Sequence, residues 1–360
     1  MKKILIVTNH SYMLYRFRKE LIQELAKENE VYISTPFVGH EEDLKEIGCQ
    51  CIHTDVDRRG INPATDLKLV HAYKNILKQI KPDMVITYSI KPNVYMGFLC
   101  RFKGIPYFAN VQGLGTAFKK KKLAALVTIM YKTALKKVSS VFFENTANAQ
   151  EFIDRNIISK NKITVLHGAG INLDSYQYCE YPNDGVIRFL YLGRIMKEKG
   201  MDEWFEAAVK LKKEYQDKVR FEMVGFFEDE YKELVEKLQD EGVIVFHGFQ
   251  NNPIPFYQKA SCVVLPSYHE GMSNVILEAQ AIGRPVITSN IPGCKEGIID
   301  GKTGLLCNVK DAKSLYEKMK QMILKSNEEL EEMGKLGREH MILNFDKKKV
   351  VQKTCEELMK

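Results

Sequence analysis

The chain has 360 residues and a formal net charge of +7, and its 45% hydrophobic content is enough for two ordinary domain cores. Its eight cysteines are scattered without metal-ligand spacing and the apolar run near the start is too short for a secretory signal, so we expect reduced thiols in a cytoplasm rather than a disulfide framework. The longest apolar stretch, 123–131, is well short of the roughly 20 residues of a membrane-spanning helix, which argues against a transmembrane protein.

The first half of the chain alternates predicted strands and helices. Apolar runs bounded by turn residues predict the strands, and apolar residues at helical spacing predict the helices. The predicted strands are 2–8, 30–35, 84–88, 106–111, 140–144 and 163–166, and the predicted helices include 17–27, 41–47 and 66–80. This alternation predicts a parallel sheet.

Polar residues after the early strands are candidate binding groups. His10 follows the first strand, where an imidazole can act as a general base or donate to a phosphate, although a lone histidine often does neither. Because arginine binds diphosphate oxygens in a bidentate way, four arginines would suit an anionic acceptor, while an ordinary surface role fits each of them equally well. They are Arg16, Arg18, Arg58 and Arg59.

A basic segment spans 101–140, with nine basic residues and no acidic one. Lys119 and Lys120 begin a run of four lysines that leads into a predicted amphipathic helix. Its apolar positions are Leu123, Leu126, Val127, Met130 and Ala134. Such a segment is typical of an interfacial helix on anionic lipid, so we expect an anionic membrane surface as partner. A solvated basic face over a core helix is the alternative; nucleic acid is not expected, because the patch lacks interleaved aromatic residues.

The polar stretch 174–185 is the predicted interdomain linker, and a second alternating series follows it. The predicted strands are 187–192, 219–224, 243–247, 261–266, 285–289 and 304–307, and the predicted helices are 202–214, 228–238, 254–259, 274–282 and several from about 312 onward. The sequence therefore predicts two α/β domains in succession.

Two carboxylates, Glu270 and Glu278, lie eight positions apart across a predicted loop-to-helix junction, with Ser273 as a candidate N-cap. The free N–H groups of a first helical turn attract a diphosphate. The candidate contacts are Gly271, Met272, Ser273 and Asn274. A carboxylate accepts two hydroxyl hydrogen bonds at once, so Glu278 suits a ribose diol and Glu270 a sugar. The pattern predicts a sugar-nucleotide site; a capping Glu270 and a solvated Glu278 are the alternative.

Two further loops support this prediction. Arg194 and Lys199 follow a predicted strand and Gly193, and two cations at a strand end can neutralise a departing nucleoside diphosphate. A solvated basic loop is the alternative. In the first half, Gly113 lies in a glycine-containing loop after a strand, where the backbone could approach the donor sugar.

The segment 270–278 resembles the E-x7-E element of glycosyltransferase family 4, and 193–200 resembles its G-R-x4-K-G segment. This resemblance implies a retaining enzyme of the α/β GT-B fold, in which two Rossmann-like domains face a central cleft. It implies an acceptor-binding domain at 1–177, to which a helix at 345–360 crosses back, and a nucleotide-sugar-binding domain at 186–344. It also implies that Arg194 and Lys199 hold the donor diphosphate and that Glu270 orients the sugar.

Segments 58–63, 89–95 and 111–115 resemble those of family 4 enzymes of capsule, O-antigen and glycoprotein glycan assembly. The resemblance implies a hexosyltransferase that needs no metal or cofactor. Its favoured substrates are a UDP-linked N-acetylhexosamine, such as N-acetylgalactosamine, and a saccharide on undecaprenyl diphosphate. It would work at the inner face of the plasma membrane. A glycosyltransferase with a soluble acceptor, a sugar-nucleotide epimerase and a binding protein with an inactive site remain as alternatives.

Overall fold

The computed structural model describes residues 1–58, 60, 62–114, 118 and 121–360. The chain forms two compact units. The first comprises 1–169 together with 348–360, and the second comprises 170–347. The sequence predicted that the first domain ends at 177, that the second begins at 186, and that the segment returning to the first domain begins at 345.

The first unit is built on a parallel sheet of seven strands. Its strands are β1 (Lys3–Val7), β2 (Glu30–Thr35), β3 (Gln50–His53), β4 (Met84–Tyr88), β5 (Tyr107–Val111), β6 (Ser140–Phe143) and β7 (Ile163–Val165). Its first helices are α1 (Ser11–Ala26), α2 (Glu41–Glu46), α3 (Pro63–Ile80), α4 (Gly97–Lys103), α5 (Lys121–Ala134) and α6 (Thr146–Asp154). The strand order is β3-β2-β1-β4-β5-β6-β7.

Both faces of this sheet are buried. Leu5 and Val7 of β1 pack into one apolar cluster, and the alternate residues Ile4 and Ile6 pack into another. A parallel sheet that helices cover on both sides has continuous apolar strands, which explains why these runs predicted strands so directly. The strand order reverses between β1 and β4, so the loops after these two strands lie at the edge where α/β folds bind ligands.

The second unit is built on a parallel sheet of six strands. They are β8 (Ile187–Ile195), β9 (Val219–Phe227), β10 (Val245–Phe246), β11 (Cys262–Leu265), β12 (Val286–Ser289) and β13 (Gly304–Cys307). Its helices are α7 (Met201–Tyr215), α8 (Lys232–Asp240), α9 (Ile254–Lys259), α10 (Asn274–Ile282), α11 (Ala312–Ile323) and α12 (Asn327–Asn344). The order is β10-β9-β8-β11-β12-β13, so it reverses between β8 and β11.

The last helix, α13 (Lys347–Leu358), packs on the first unit. Val350 and Leu358 are buried in an apolar cluster of that unit. The ammonium of Lys353 donates to the carbonyl oxygen of Val165 at 2.9 Å. The C-terminal segment therefore completes the core of the unit that the N-terminus begins.

Several element limits differ from the prediction. Helix α1 begins at Ser11 rather than 17, and β10 holds two residues where five were predicted. Strand β3 was not predicted, because its residues are mostly exposed and give little apolar signal.

The apolar positions of α5 divide between two environments. Leu126, one of the positions predicted for the apolar face, has a side chain that is 50% exposed, whereas Ala124, Val127 and Tyr131 are buried in the core. None of the described helices has the length and hydropathy of a membrane span.

Candidate active site

The carboxyl end of β8 presents Arg194. Gly193 has a φ of 148°, a conformation that favours glycine, and the Tyr191 hydroxyl donates to the Arg194 carbonyl oxygen at 2.5 Å. The guanidinium Nη1 of Arg194 lies 2.6 Å from Oε2 of Glu228, just beyond the end of β9. The constrained backbone at the end of β8 and the Glu228 carboxylate thus hold a partly exposed cation at the switch point of the sheet.

The turn that carries Lys199 packs against the end of β11. Gly200 has a φ of 73°, and a Cβ at this position would overlap the carbonyl oxygen of Pro266. The backbone N–H of Tyr268 donates to the Glu198 carbonyl oxygen at 2.9 Å. Only glycine permits this close approach, which brings the loops after β8 and β11 together.

Lys199 and Glu270 meet where these loops join. The ammonium Nζ of Lys199 lies 2.5 Å from Oε1 of Glu270, and the two side chains are only 15% and 14% exposed. The Ser267 hydroxyl donates to the same carboxylate oxygen at 2.8 Å. Because both charges are mostly removed from water, this ion pair is stronger than a surface pair.

The charge of Glu270 also acts on two buried neighbours. Burial, and next the Glu270 carboxylate, raise the pKa of the Tyr191 hydroxyl well above its usual value. Burial, and next the Glu270 carboxylate, also raise the pKa of the Cys294 thiol. The Lys199 ammonium acts in the opposite direction and lowers this pKa. Both groups therefore stay neutral at physiological pH, and the Cys294 thiol is not poised as a nucleophile.

The amino end of α10 lies beside this pair. Ser273 is at the N-cap position as predicted, and its side chain makes no capping hydrogen bond. Its backbone N–H donates to the carbonyl oxygen of Gly293 at 2.9 Å. Gly293, with a φ of 86°, packs against the carbonyl groups of Glu270 and Gly271. Helical geometry leaves the first-turn N–H groups, from Asn274 onward, without partners in their own helix, and these are the donors that bind anions.

Glu278 and Met272 point into the protein. Glu278 is 3% exposed, and the Tyr257 hydroxyl donates to its Oε2 at 2.8 Å. The alternative in which Glu278 is a solvated helix residue was therefore wrong. Met272 packs with Leu277 in a small apolar cluster, so its side chain belongs to the core of the unit.

His10 lies between β1 and α1 in the first unit. Burial, and next the Arg58 cation, lower the pKa of its imidazole. Within the described residues, its buried Nδ1 has no hydrogen-bond partner. The preceding Asn9 accepts a hydrogen bond from the Ser89 hydroxyl at 2.9 Å, and Ser89 has a φ of 75°. The loops after β1 and β4 therefore meet beside a neutral imidazole.

The candidate acceptor residues fall into different environments. Arg16 hydrogen-bonds the Tyr12 hydroxyl at 3.1 Å, and Arg58 is exposed. Arg18 is buried, with its guanidinium 2.7 Å from the Glu144 carboxylate. The surface role considered for Arg18 was wrong, and the ion pair indicates a structural role instead. Arg59, Lys119 and Lys120 lie outside the described residues. Gly113 is half-buried in the loop after β5.

The structure thus brings Arg194, Lys199, Glu270 and the amino end of α10 together in the second unit, while His10, Gly113, Arg16 and Arg58 belong to the first. Sequence reasoning missed Glu228, Ser267 and Tyr257, which contact the candidate residues directly. Glu228 follows β9 at the same edge of the sheet as the candidate loops. Its position after a predicted strand was the one sequence signal that could have identified it as a site residue.

Two family models match the chain. The model "Glycosyl transferase 4-like" matches residues 3–145, and "Glycosyl transferases group 1" matches residues 181–340. Together they account for most of both units.

Curated relatives agree with these matches. The N,N'-diacetylbacillosaminyl-diphospho-undecaprenol alpha-1,3-N-acetylgalactosaminyltransferase of Campylobacter jejuni is 29% identical over 86% of each chain. The capsular polysaccharide biosynthesis glycosyltransferase CapM of Staphylococcus aureus is 27% identical over 95% of this chain and 92% of its own.

Solved structures share the fold. HepE of Anabaena, crystallised with UDP and glucose, superposes with a TM-score of 0.80 at 16% identity over the whole of both chains. Sucrose-phosphate synthase of Thermosynechococcus elongatus has a TM-score of 0.79 at 19% identity over 99% of this chain and 98% of its own. The GT-B prediction is confirmed, and the chain belongs to glycosyltransferase family 4.

Proposed function

We propose that this glycosyltransferase transfers an N-acetylhexosamine from a UDP-sugar, with retention of configuration and without a metal ion, to a saccharide on a polyprenyl diphosphate. The observation that carries the proposal is the shielded Lys199–Glu270 ion pair beside Arg194, at the point where the order of the second sheet reverses. The position and chemistry of this cluster suit a sugar nucleotide.

The leaving diphosphate would be stabilised by three positive groups. Arg194 lies near the carboxyl end of β8 with a partly exposed guanidinium, Lys199 lies on the turn that follows the strand, and the amino end of α10 supplies backbone N–H donors. Fixed positive groups of this kind stabilise the charge that develops when the bond to the diphosphate breaks. They would replace a metal ion in this task.

Glu270 would orient the transferred sugar. Its Oε1 accepts from Lys199 and Ser267, and a carboxylate has further lone pairs on its second oxygen for sugar hydroxyls. The acceptor hydroxyl would attack on the face that the diphosphate leaves, and the leaving-group oxygen would take its proton. Glu278 would contact the ribose, held by the hydrogen bond from Tyr257.

In the first unit, we assign His10, Gly113 and Arg58 to substrate contacts. The lowered pKa of His10 keeps its imidazole neutral at pH 7, and a neutral imidazole donates one hydrogen bond and accepts another. Arg58 is an exposed cation suited to an anionic acceptor. Arg18 is left out, because it is buried against Glu144.

The relatives support the choice of substrates. The name of the Campylobacter jejuni enzyme specifies an N-acetylgalactosaminyl transfer to a sugar on diphospho-undecaprenol, and the HepE structure contains UDP. We extend both properties to this chain.

A membrane surface would bring the enzyme to its lipid-linked acceptor. Ile129 on α5 is 62% exposed, close to the exposed Leu126, and Phe98 and Phe102 are exposed on the neighbouring α4. The Arg101 guanidinium lies 5.4 Å from the centre of the Phe102 ring. Exposed apolar side chains within a strongly basic segment suit the inner, anionic face of the plasma membrane.

The test is a transfer reaction with the purified full chain. A panel of UDP-sugars is supplied with bacterial membrane extract, and products are read by mass spectrometry, with the anomeric configuration read by NMR. We expect addition of one N-acetylhexosamine to a lipid-linked saccharide, with the donor's configuration retained and with no change on adding EDTA.

Two outcomes contradict the proposal. Conversion of a UDP-sugar without any acceptor indicates an epimerase. Equal transfer to soluble saccharides, unaffected by anionic liposomes or by changing the lysine run 119–122 to serine, indicates a soluble acceptor.

A further inference from the structure

Two phenylalanine rings are exposed at the carboxyl edge of the second sheet. Phe226, near the end of β9, is 46% exposed, and Phe249, after β10, is 51% exposed. Their ring centres are 6.0 Å apart, and the ring planes are inclined at 69°. The edge of one ring thus meets the face of the other, and both retain surface open to solvent.

The phenylalanine that follows Phe226 in β9 has a different environment. Phe227, the next residue in β9, points to the opposite side and packs with Phe246 at a ring distance of 5.1 Å. Both of these neighbours pack against the main apolar core of the unit. The strand therefore packs one phenylalanine, partly buried, against the core and presents the adjacent one outward.

The outward pair lies directly beside the candidate phosphate-binding arginine. In the parallel register of β8 and β9, Arg194 is paired with Phe226, so their side chains leave the sheet on the same face. Residues paired in this way have Cβ atoms about 5 Å apart.

The backbone holds Phe249 at the same place. The N–H of Gly225 donates to the carbonyl oxygen of Gly248 at 2.9 Å, which ties the residue before Phe226 to the residue before Phe249. Gly225 has a φ of 157° and lies so close to the Gly193 carbonyl that a Cβ would overlap it. The two rings and Arg194 therefore belong to one locally rigid edge.

We propose that Phe226 and Phe249 form the stacking surface for the nucleobase of the donor. This inference rests on the proposed function, because it needs a nucleoside diphosphate bound at Arg194. A flat, neutral aromatic base matches two exposed rings next to a cation that holds the phosphates. The edge-to-face arrangement lets the base stack on one ring while it contacts the other.

The position of the Glu278 carboxylate is consistent with a nucleotide whose base lies at Phe226 and Phe249 and whose phosphates lie at Arg194. Glu278, assigned to the ribose, accepts a hydrogen bond from Tyr257 on α9, the helix that follows the Phe249 loop. The ribose contact is thereby connected to the segment that carries the base contact, as the order base, ribose, diphosphate requires.

The test compares UDP with inorganic pyrophosphate, which lacks the base and the ribose. Binding of each to the purified full chain is measured by 31P NMR titration for the wild type, Phe226→Ala, Phe249→Ala and the double variant. We expect each single variant to bind UDP about 10-fold more weakly and to bind pyrophosphate as the wild type does. Phe249→Trp should retain UDP binding.

Two controls separate this inference from the proposed function. Val245→Ala removes a similarly exposed apolar side chain from β10 and should change neither affinity. Arg194→Ala should weaken both ligands. If the wild type binds UDP and the double variant binds it equally well, the stacking surface is refuted while the donor site stands. Equal weakening of UDP and pyrophosphate in the phenylalanine variants refutes it as well, because it indicates general damage to the edge. If the wild type binds no UDP, both proposals fail.

Discussion

Replacing Lys199 with methionine tests the central ion pair. Methionine keeps much of the length of the side chain but removes the charge, and it leaves the Glu270 carboxylate with Ser267 as its remaining described donor. Removing one partner of a fully buried pair costs about 3–5 kcal/mol. Because about one seventh of each side chain is exposed and Ser267 still donates, we expect a loss of about 2 kcal/mol in the free energy of unfolding.

The same change removes one of the two cations assigned to the leaving diphosphate. Loss of one fixed group that stabilises transition-state charge lowers rates by about 10²–10³. We therefore expect kcat/KM of sugar transfer to fall by about that factor, which corresponds to roughly 3–4 kcal/mol. The assay is steady-state transfer to the lipid-linked acceptor, with folding checked by circular dichroism.

A double variant separates stability from catalysis. Lys199→Met combined with Glu270→Gln removes both charges, so no uncompensated carboxylate remains, and much of the lost stability should return. Activity should not return, because neither group can then perform its assigned task.

Lys210→Met is the matched control. Lys210 pairs with Glu206 at 2.8 Å on the exposed face of α7 in the same unit, and exposed pairs of this kind contribute little to stability because water and salt screen them. If Lys199→Met retains kcat/KM within about threefold of the wild type, Lys199 has no role in stabilising the leaving group, and the reasoning from this ion pair is refuted.

Three further changes probe other parts of the molecule. Arg18→Met should cost about 3 kcal/mol in chemical denaturation, because Glu144 loses its buried partner, and should leave the KM for acceptor unchanged; a raised acceptor KM at unchanged stability would restore Arg18 to the binding site. His10 has a lowered pKa, so the unfolded chain binds more protons below pH 6.5, and stability should fall as the pH drops from 7 through the folded-state pKa; denaturation of His10→Gln should lack this component. Glu228→Gln removes a charge that competes with phosphate for Arg194 but keeps an acceptor for its guanidinium, so calorimetry should give about threefold tighter UDP binding, and weaker binding would mean that the charge itself orients Arg194.

Buried strands and the α10 junction could be predicted from the sequence because their signals are local. The run 4–7 is apolar throughout because both faces of β1 are covered, and helix 274–282 was predicted with the limits that α10 has in the structure. No local pattern in the sequence predicted that Lys199 pairs with Glu270. It depends on Gly200 packing against Pro266, a contact between segments far apart in the sequence.

The features that the sequence did not predict also have physical causes. Helical spacing on α5 permits more than one apolar stripe, and only the packing of its neighbours decides that Val127 is buried and Leu126 exposed. An arginine such as Arg18 is expected at the surface until a partly buried carboxylate, Glu144, is found 126 positions further along the chain. The exposure of Phe226 beside the partly buried Phe227 likewise follows from the end of a sheet and not from the sequence alone.

The charge balance at the donor site has a consequence for selectivity. Arg194 is paired with Glu228, and Lys199 with Glu270, so these four side chains carry no net charge. A bare phosphate that approaches them must compete with two carboxylates and gains little net attraction. Under the proposed function, a complete sugar nucleotide would gain more, because its hydroxyls would satisfy Glu270 while its phosphates contact the cations. Such a site would favour the intact donor over free phosphate, and it would release the nucleoside diphosphate more readily once the sugar that engaged Glu270 has been transferred.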